Sequence, residues 1–500
     1  MWNELLYAFE AVATLPNFLA MFAGIWAGVI IGAIPGMTGT MAVTLALPFT
    51  FYLPPVTSIL LLVALYKGST YGGSISAILI KTPGTASAAC TVLDGYPLAR
   101  AGKGGKALNI ALVSSCIGDF ISNISLFFLA IPLATFALRV GPPEFFMLMA
   151  FSLTIVASIS GRSLVLGIIS ACLGLLLATV GEDIYGSYRF ALSEDMKSGL
   201  GMVPVLIGLF ALPELIKMVV FRPEENNDAM KLGDNRLTLA EFRGSIKSIF
   251  RGSIIGVILG AIPGIGPSTA AFFSYSEARR TSKNGDKFGE GELEGIAASE
   301  SANNGSCGAT MIPLLALGVP GDVITGVMLG AFMIHGLTPG PLLFQNNLGD
   351  VYALFIGILF SSVFLFIAGK ATAGAFTKIS RIPQTLLLPC ILILCVYGIY
   401  SIGASPFDVT VLLVMGVVGF AMMLLNIPAA PFLIAFILGP MFEDNMRRSL
   451  AISRGDLGVF FQSWISWGFF ALTVLFVILT IRREWKKWRN NRNADAASAS

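Results

Sequence analysis

A chain of 500 residues with 55% hydrophobic and only 12% charged side chains, at a mean hydropathy of +0.80, falls in the membrane class and excludes a string of soluble domains. Its formal net charge of +3 is too small to imply a nucleic-acid partner. Cys90, Cys116, Cys172, Cys307, Cys390 and Cys395 lack metal or redox spacing and read as packing residues. The single histidine, His335, cannot build a metal site or a triad. No catalytic residue, resident metal or cofactor is therefore expected, and the chain does not read as an enzyme.

An all-α polytopic protein with about 11 transmembrane segments is expected from the recurrence of apolar stretches long enough to cross a bilayer. Residues 1–16 read as an amphipathic lead-in without the basic region or cleavage site of a secretory signal. Spans follow near Asn17–Ile34, Leu108–Leu138, Ser163–Val180, Leu200–Val220, Val351–Ala368, Thr385–Ile402, Val409–Leu425 and Trp464–Ile481. The organisation read from these is transmembrane repeat 1 at 17–221, a polar linker at 222–245, repeat 2 at 246–454, a last helix at 455–481 and a basic tail at 482–500. Arg482, Arg483, Lys486, Lys487, Arg489 and Arg492 place the tail in the cytoplasm, flanked by Trp485 and Trp488, and the uncharged N-terminus outside.

The repeat shows at GVIIGAIPGMTGTMA (Gly28–Ala42) and GVILGAIPGIGPSTA (Gly256–Ala270), an offset of 228 residues from Gly28 to Gly256. A second polar segment ending in Pro-Gly follows each copy: Tyr71–Gly84 and Asn304–Gly321, an alignment that needs a gap. After the first GAIPG no cation occurs until Lys67, whereas Arg279, Arg280, Lys283 and Lys287 follow the second. Conversely Lys81, Arg100, Lys103 and Lys106 lie in or after the first Pro-Gly segment, while no Lys or Arg occurs from Phe288 through Gly369. Opposite bias in equivalent loops points to inverted-topology repeats with discontinuous or re-entrant helices, the plan of many alternating-access transporters.

Gly32, Pro35, Gly36, Gly260, Pro263, Gly264, Pro83, Gly84, Pro320 and Gly321 are the expected helix breaks, because proline removes a ladder donor and glycine lets another backbone approach. In lipid such breaks are tolerated only in the protein interior or beside a water-filled cavity. Thr38, Gly39, Thr40, Ser268 and Thr269 follow the breaks with hydroxyls and free helix-end amides that suit a carboxylate. Ser69, Thr70, Tyr71, Ser74, Ser76 and Thr82, with Ser301, Asn303, Asn304 and Ser306, complete the candidate solute-binding set. Lys81, Asp119 and Glu300 are candidate charge or ion partners. Without a phosphate-binding loop, since Lys103 is followed by Gly104, energy has to come from an ion gradient, the membrane potential or a partner.

At GAIPGMTGTMA, YGGSISAILIKTPGTASA, DGYPLARAGKGGKAL, GAIPGIGPSTAAFFSYSEARR and SANNGSCGATMIPLLALGVPG the sequence resembles the TctA-like large membrane subunit of the tripartite tricarboxylate transporter family, over roughly Asn17–Arg454. The resemblance implies a permease of the bacterial inner membrane that works with a small membrane subunit and a periplasmic solute-binding protein. It further implies symport of a carboxylate with Na+ or H+, with no cofactor, and leaves citrate, dicarboxylic and aromatic acids open as the solute. A homodimer is an assembly to weigh, and a passive anion channel and an integral-membrane enzyme are the alternative functions.

Overall fold

The computed structural model describes residues 2–159, 163–183, 185–221, 233, 236–379 and 384–498. Most of the linker read at 222–245 lies outside them, as do the side chains of Arg483, Lys486, Lys487, Trp488 and Arg492. The chain is helical almost throughout. The first half contains α1 (Trp2–Val12), α2 (Leu15–Ala33), α3 (Gly39–Thr50), α4 (Pro55–Ile80), α5 (Val92–Leu98), α6 (Gly104–Ala137), α7 (Pro142–Ile159), α8 (Leu164–Ala178), α9 (Met202–Phe210) and α10 (Leu212–Phe221). The second contains α11 (Leu239–Gly260), α12 (Gly266–Thr281), α13 (Leu293–Gly305), α14 (Met311–Leu317), α15 (Val323–Ile334), α16 (Leu343–Asn346), α17 (Leu348–Ile379), α18 (Gln384–Gly403), α19 (Pro406–Leu424), α20 (Ala429–Ile452) and α21 (Trp464–Ser498).

Among the described residues, 6 stretches are long and apolar enough to cross a membrane: Leu15–Ala33, Val92–Ala137, Met202–Phe221, Leu348–Thr372, Pro406–Leu424 and Trp464–Arg482. Gly39–Thr50, Pro142–Ser158, Leu164–Ala178, Val323–Ile334 and Leu388–Gly403 are apolar but shorter. The protein is thus an all-α, multi-pass membrane protein. Helices such as α3 and α15 reach only part of the way across at 1.5 Å per residue.

Local chemistry sets the ends that matter. A proline in the first turn of α2 and of α4 suits positions whose amides have no helical partner. Ile34, held extended before Pro35, stops α2. Thr38 then caps α3 by accepting from the Met41 amide at 3.2 Å. In the second half α11 opens with a full capping box, Thr238 with Glu241. Asp322 and Thr325 form another at α15.

By contacts the chain forms two units, Met1–Ala137 with Val203–Val417, and Leu138–Met202 with Val418–Ser500. The first is built on α2 against α4 and on α11 against α13, with α6 alongside α13. Glycines make both close approaches: a Cβ on Gly28 would sit 2.5 Å from the Leu65 carbonyl oxygen, and one on Gly256 2.5 Å from that of Ala302. Apolar lipid gives helices little reason to associate, so close backbone packing of this kind carries the cohesion.

In the second unit α7 and α8 pack on α20, with Phe146 against Phe442 and Phe460. Its short antiparallel pair β1 (Gly181–Glu182) and β2 (Tyr188–Arg189) is tied down by Arg189, bidentate to Glu443 at 2.9 Å. Arg447 joins Glu443 at 2.7 Å and Asp183 at 3.3 Å. Amide donors from Ser187 and Tyr185, with Arg447 beside them, hold the Asp183 carboxyl below its ordinary range.

Candidate solute site

Each GAIPG turn meets the Pro-Gly turn of its own half. The Gly84 amide donates to the Gly73 carbonyl at 3.3 Å, and a Cβ on Gly84 would overlap the carbonyl oxygen of Gly32. In the other half the Gly264 amide donates to the Gly321 carbonyl at 2.8 Å, and a Cβ on Gly321 would lie 2.7 Å from the backbone of Thr310. The turns are conformational counterparts: Gly36 has φ 84° and Gly264 φ 83°, while Lys81 closes α4 at φ 60° and Gly318 closes α14 at φ 72°.

These contacts fix the register that the sequence alignment left open. Gly28 and Gly32 pack on Gly68 and Ser69, and Gly256 and Gly260 pack on Gly305 and Ser306. The first members are 228 residues apart and the second 237, from Gly68 to Gly305, so the gap falls in the longer loop between α12 and α13. In that register Tyr66 matches Asn303, Lys67 matches Asn304, Thr70 matches Cys307 and Thr85 matches Asp322. Thr70 and Cys307 also touch, with Sγ 3.7 Å from Oγ1. Each therefore meets the residue that takes its own position in the other half.

Buried polar groups gather around this contact on α4, α6 and α13. Glu300, fully buried on α13, accepts from Ser74 at 2.6 Å, from Ser115 at 2.9 Å and from Thr91. Lys67, fully buried midway along α4, reaches Asp119 at 3.1 Å, the Ile358 carbonyl at 2.7 Å and Ser361 at 2.9 Å. The same Asp119 oxygen, Oδ2, accepts from Asn123 at 3.1 Å and Ser362 at 2.6 Å. Tyr66 donates to Asp322 at 2.7 Å. Against this paired background, both polar atoms of the Asn303 side chain, Oδ1 of Asn304, Asn123 and Asp119, and the Tyr71 hydroxyl have no protein partner. Each such atom costs about 1–3 kcal/mol unless something else satisfies it.

The candidates from sequence divide accordingly. Ser74 on α4 reaches Glu300 on α13 and Thr70 meets Cys307, while Asn303, Asn304 and Tyr71 lie buried along the same two helices, and Gly39 at the start of α3 packs against the Ser69 hydroxyl. Ser69 and Thr70 donate to the Tyr66 carbonyl, Ser76 to Gly73, Ser301 to Ala298 and Ser306 to Ala302, so their hydroxyls serve their own helices in this state. Thr38 is engaged in its cap, while Thr40 and Ser268 are half-buried. Thr269, Lys81 and Thr82 are exposed, and the Lys81 ammonium lies 5.6 Å over the Tyr96 ring. They stand apart from the cluster.

Lys67, the first cation after the first GAIPG, is an interior one. Hydropathy hides it, because one charge in a 26-residue apolar helix reads as the edge of a span. Asp94 was also passed over. One of its oxygens accepts from the Gly289, Gly291 and Glu292 amides at 2.8, 2.9 and 2.8 Å, and the other from the Tyr275 hydroxyl at 2.8 Å. It ties α5 to α12 and to the loop before α13. Only the distant pairing, invisible in a single sequence, gives it that role.

Comparison with known proteins identifies the family. Residues 18–434 match the family described as "Tripartite tricarboxylate transporter TctA family". An uncharacterized 52.8 kDa protein in the TAR-I ttuC' 3'region of Agrobacterium vitis is 35% identical over 481 residues, 96% of each chain. An uncharacterized protein in the TAR-II ttuC' 3'region of the same organism is 37% identical over 220 residues, 44% of this chain and 91% of that relative. The chain belongs to the TctA family and is a membrane component of a tripartite tricarboxylate transporter, a system with a small membrane subunit and a periplasmic binding protein.

Proposed function

From that membership we propose that the chain is the secondary active transporter of its system, importing a di- or tricarboxylate or related organic anion handed over by the binding protein. An Na+ or H+ gradient across the bacterial inner membrane drives it. The solute binds at the contact between α4 and α13, and access alternates between the two sides by movement of the repeats.

The observation that carries this reading is Asn303: wholly buried, both polar atoms unpartnered, one turn from the Thr70–Cys307 contact. The free Asn303 Nδ2 donor suits a carboxylate oxygen, and the free Oδ1 suits a donor such as a hydroxyl of the solute. Inverted repeats are supported by where the cations lie. The loops carrying Arg100 and Lys103, and Arg279, Arg280, Lys283 and Lys287, lie in different halves, yet Asp94 joins their two regions. A shared cationic side is the cytoplasmic one, with the N-terminus outside and the tail inside.

Uptake of labelled citrate or succinate by membrane vesicles carrying all three components tests the proposal. The label should accumulate chemically unchanged, and accumulation should vanish when ion gradients are collapsed. Converted label would mark an enzyme, and entry insensitive to gradients a passive channel.

A further inference from the structure

An anion drawn into a buried site needs a positive charge to meet it, since several kcal/mol of hydration per charge are given up. Lys81, the cation that the sequence put forward, is exposed. Among the described residues the fully buried Lys or Arg is Lys67. Its position in α4 is one turn before Tyr71 and two before Ser74, so the three share a helix face. Its counterpart in the other half is Asn304, whose Oδ1 is unpartnered.

Lys67 is already occupied, however. Asp119 neutralises it through Oδ2, while Asp119 Oδ1 remains buried and without a partner. We propose that the coupled ion is a proton, taken by Asp119, and that its arrival releases the Lys67 ammonium to pair with the solute carboxylate. This rests on the reading of the chain as an ion-coupled importer of organic anions. In the step, a proton from water on the outer side bonds to Asp119 Oδ1 and the carboxyl becomes neutral. The ion pair Lys67–Asp119 opens, and the solute carboxylate takes the place of Oδ2 on the ammonium, which keeps its charge throughout. On the inner side the solute leaves, Asp119 returns the proton to water and the pair re-forms. One proton enters with each solute carboxylate so paired.

The surroundings favour this division of labour. The other titratable groups acting on Lys67 are the Cys116 thiol on α6 and the Cys307 thiol at the end of α13. The stretch of α17 packed here contributes Ile358, Ser361 and Ser362, and α2 has no titratable side chain. The ammonium itself fills the shell of carbonyl, hydroxyl and carboxylate oxygens that a sodium ion would seek.

Vesicles containing the chain with both partner components provide the test, with labelled citrate and succinate as probes and the membrane potential held at zero. Wild type should accumulate label about tenfold per unit of imposed pH difference, acid outside, for one proton per solute. A sodium gradient alone should drive none. Asp119→Asn should keep exchange of internal for external label but reach no accumulation. The double variant Lys67→Met with Asp119→Asn leaves no lone buried charge and should reach the membrane in normal amount, yet lose exchange as well. Proton-driven accumulation by Asp119→Asn, wild-type exchange by the double variant, or sodium-driven accumulation by wild type would each overturn the proposal while import itself stands. Wild type that accumulates neither probe under either gradient would overturn the importer reading too.

Discussion

The two halves share a backbone and differ in chemistry. Gly32 against Ser69 reappears as Gly260 against Ser306, and the turn at Gly36 reappears at Gly264 with the same φ to within a degree. Buried side chains part company: Tyr66 with Asn303, Lys67 with Asn304, Thr70 with Cys307. Backbone contact tolerates nothing larger than glycine in either copy, so duplication persists there. The proposed solute site, by contrast, would meet a low-symmetry solute with different groups from its two halves. One half supplies the ammonium and hydroxyls, the other the amides and Glu300.

The comparison can be broken first at the turns. Gly84→Val forces a side chain into the Gly32 carbonyl, where backbone lies on both sides, and should cost more than about 3 kcal/mol. Little monodisperse protein should then be recovered in detergent. Asp94→Ala cuts the tie between the halves and strands three amides and a tyrosine hydroxyl. A loss of about 3 kcal/mol is expected in thermal unfolding.

Smaller changes sharpen the contrast. The second-half helix α11 opens with a capping box where α2 has no side-chain cap, so Thr238→Ala should cost about 1 kcal/mol and Thr14→Ala almost nothing. Lys106 at 2.8 Å, reinforced by the Thr238 amide, holds the Glu241 carboxyl down to about 2. A depressed carboxyl contributes stability above its ordinary range and loses it as pH falls toward that value. In Lys106→Ala the fall in stability between the ordinary carboxylate range and about pH 2 should therefore shrink in a stability–pH profile. Smallest of all, Lys81→Gly places in the first half the residue that Gly318 supplies in the second. It should stay within about 1 kcal/mol of wild type and leave uptake unchanged.

Much of the architecture was legible because lipid imposes period and length on a sequence: the apolar runs mark the helices, and GAIPG marks the matched turns. The number of full spans was harder to read. Helices such as α3 and α15 look like parts of spans in a hydropathy profile, yet each starts afresh at a capped turn, at Thr38 and at Asp322. In the solute region, Asn303 and Tyr71 stood out as polar residues in an apolar setting. Lys81 stood out for the same reason but lies at a helix end where its stem reaches the exterior. Lys67 and Asp94 were hidden because their partners are 52 and 181 or more residues away. The register between halves was likewise out of reach, since the extra loop before α13 blurs any ungapped match.

The account depends most on the solute lying at the contact of α4 and α13. Uptake of labelled citrate and succinate by Asn303→Ala, in vesicles with both partner components, tests this most directly. Normal protein in the membrane with uptake abolished is the predicted result. Uptake at the wild-type rate and affinity would contradict it.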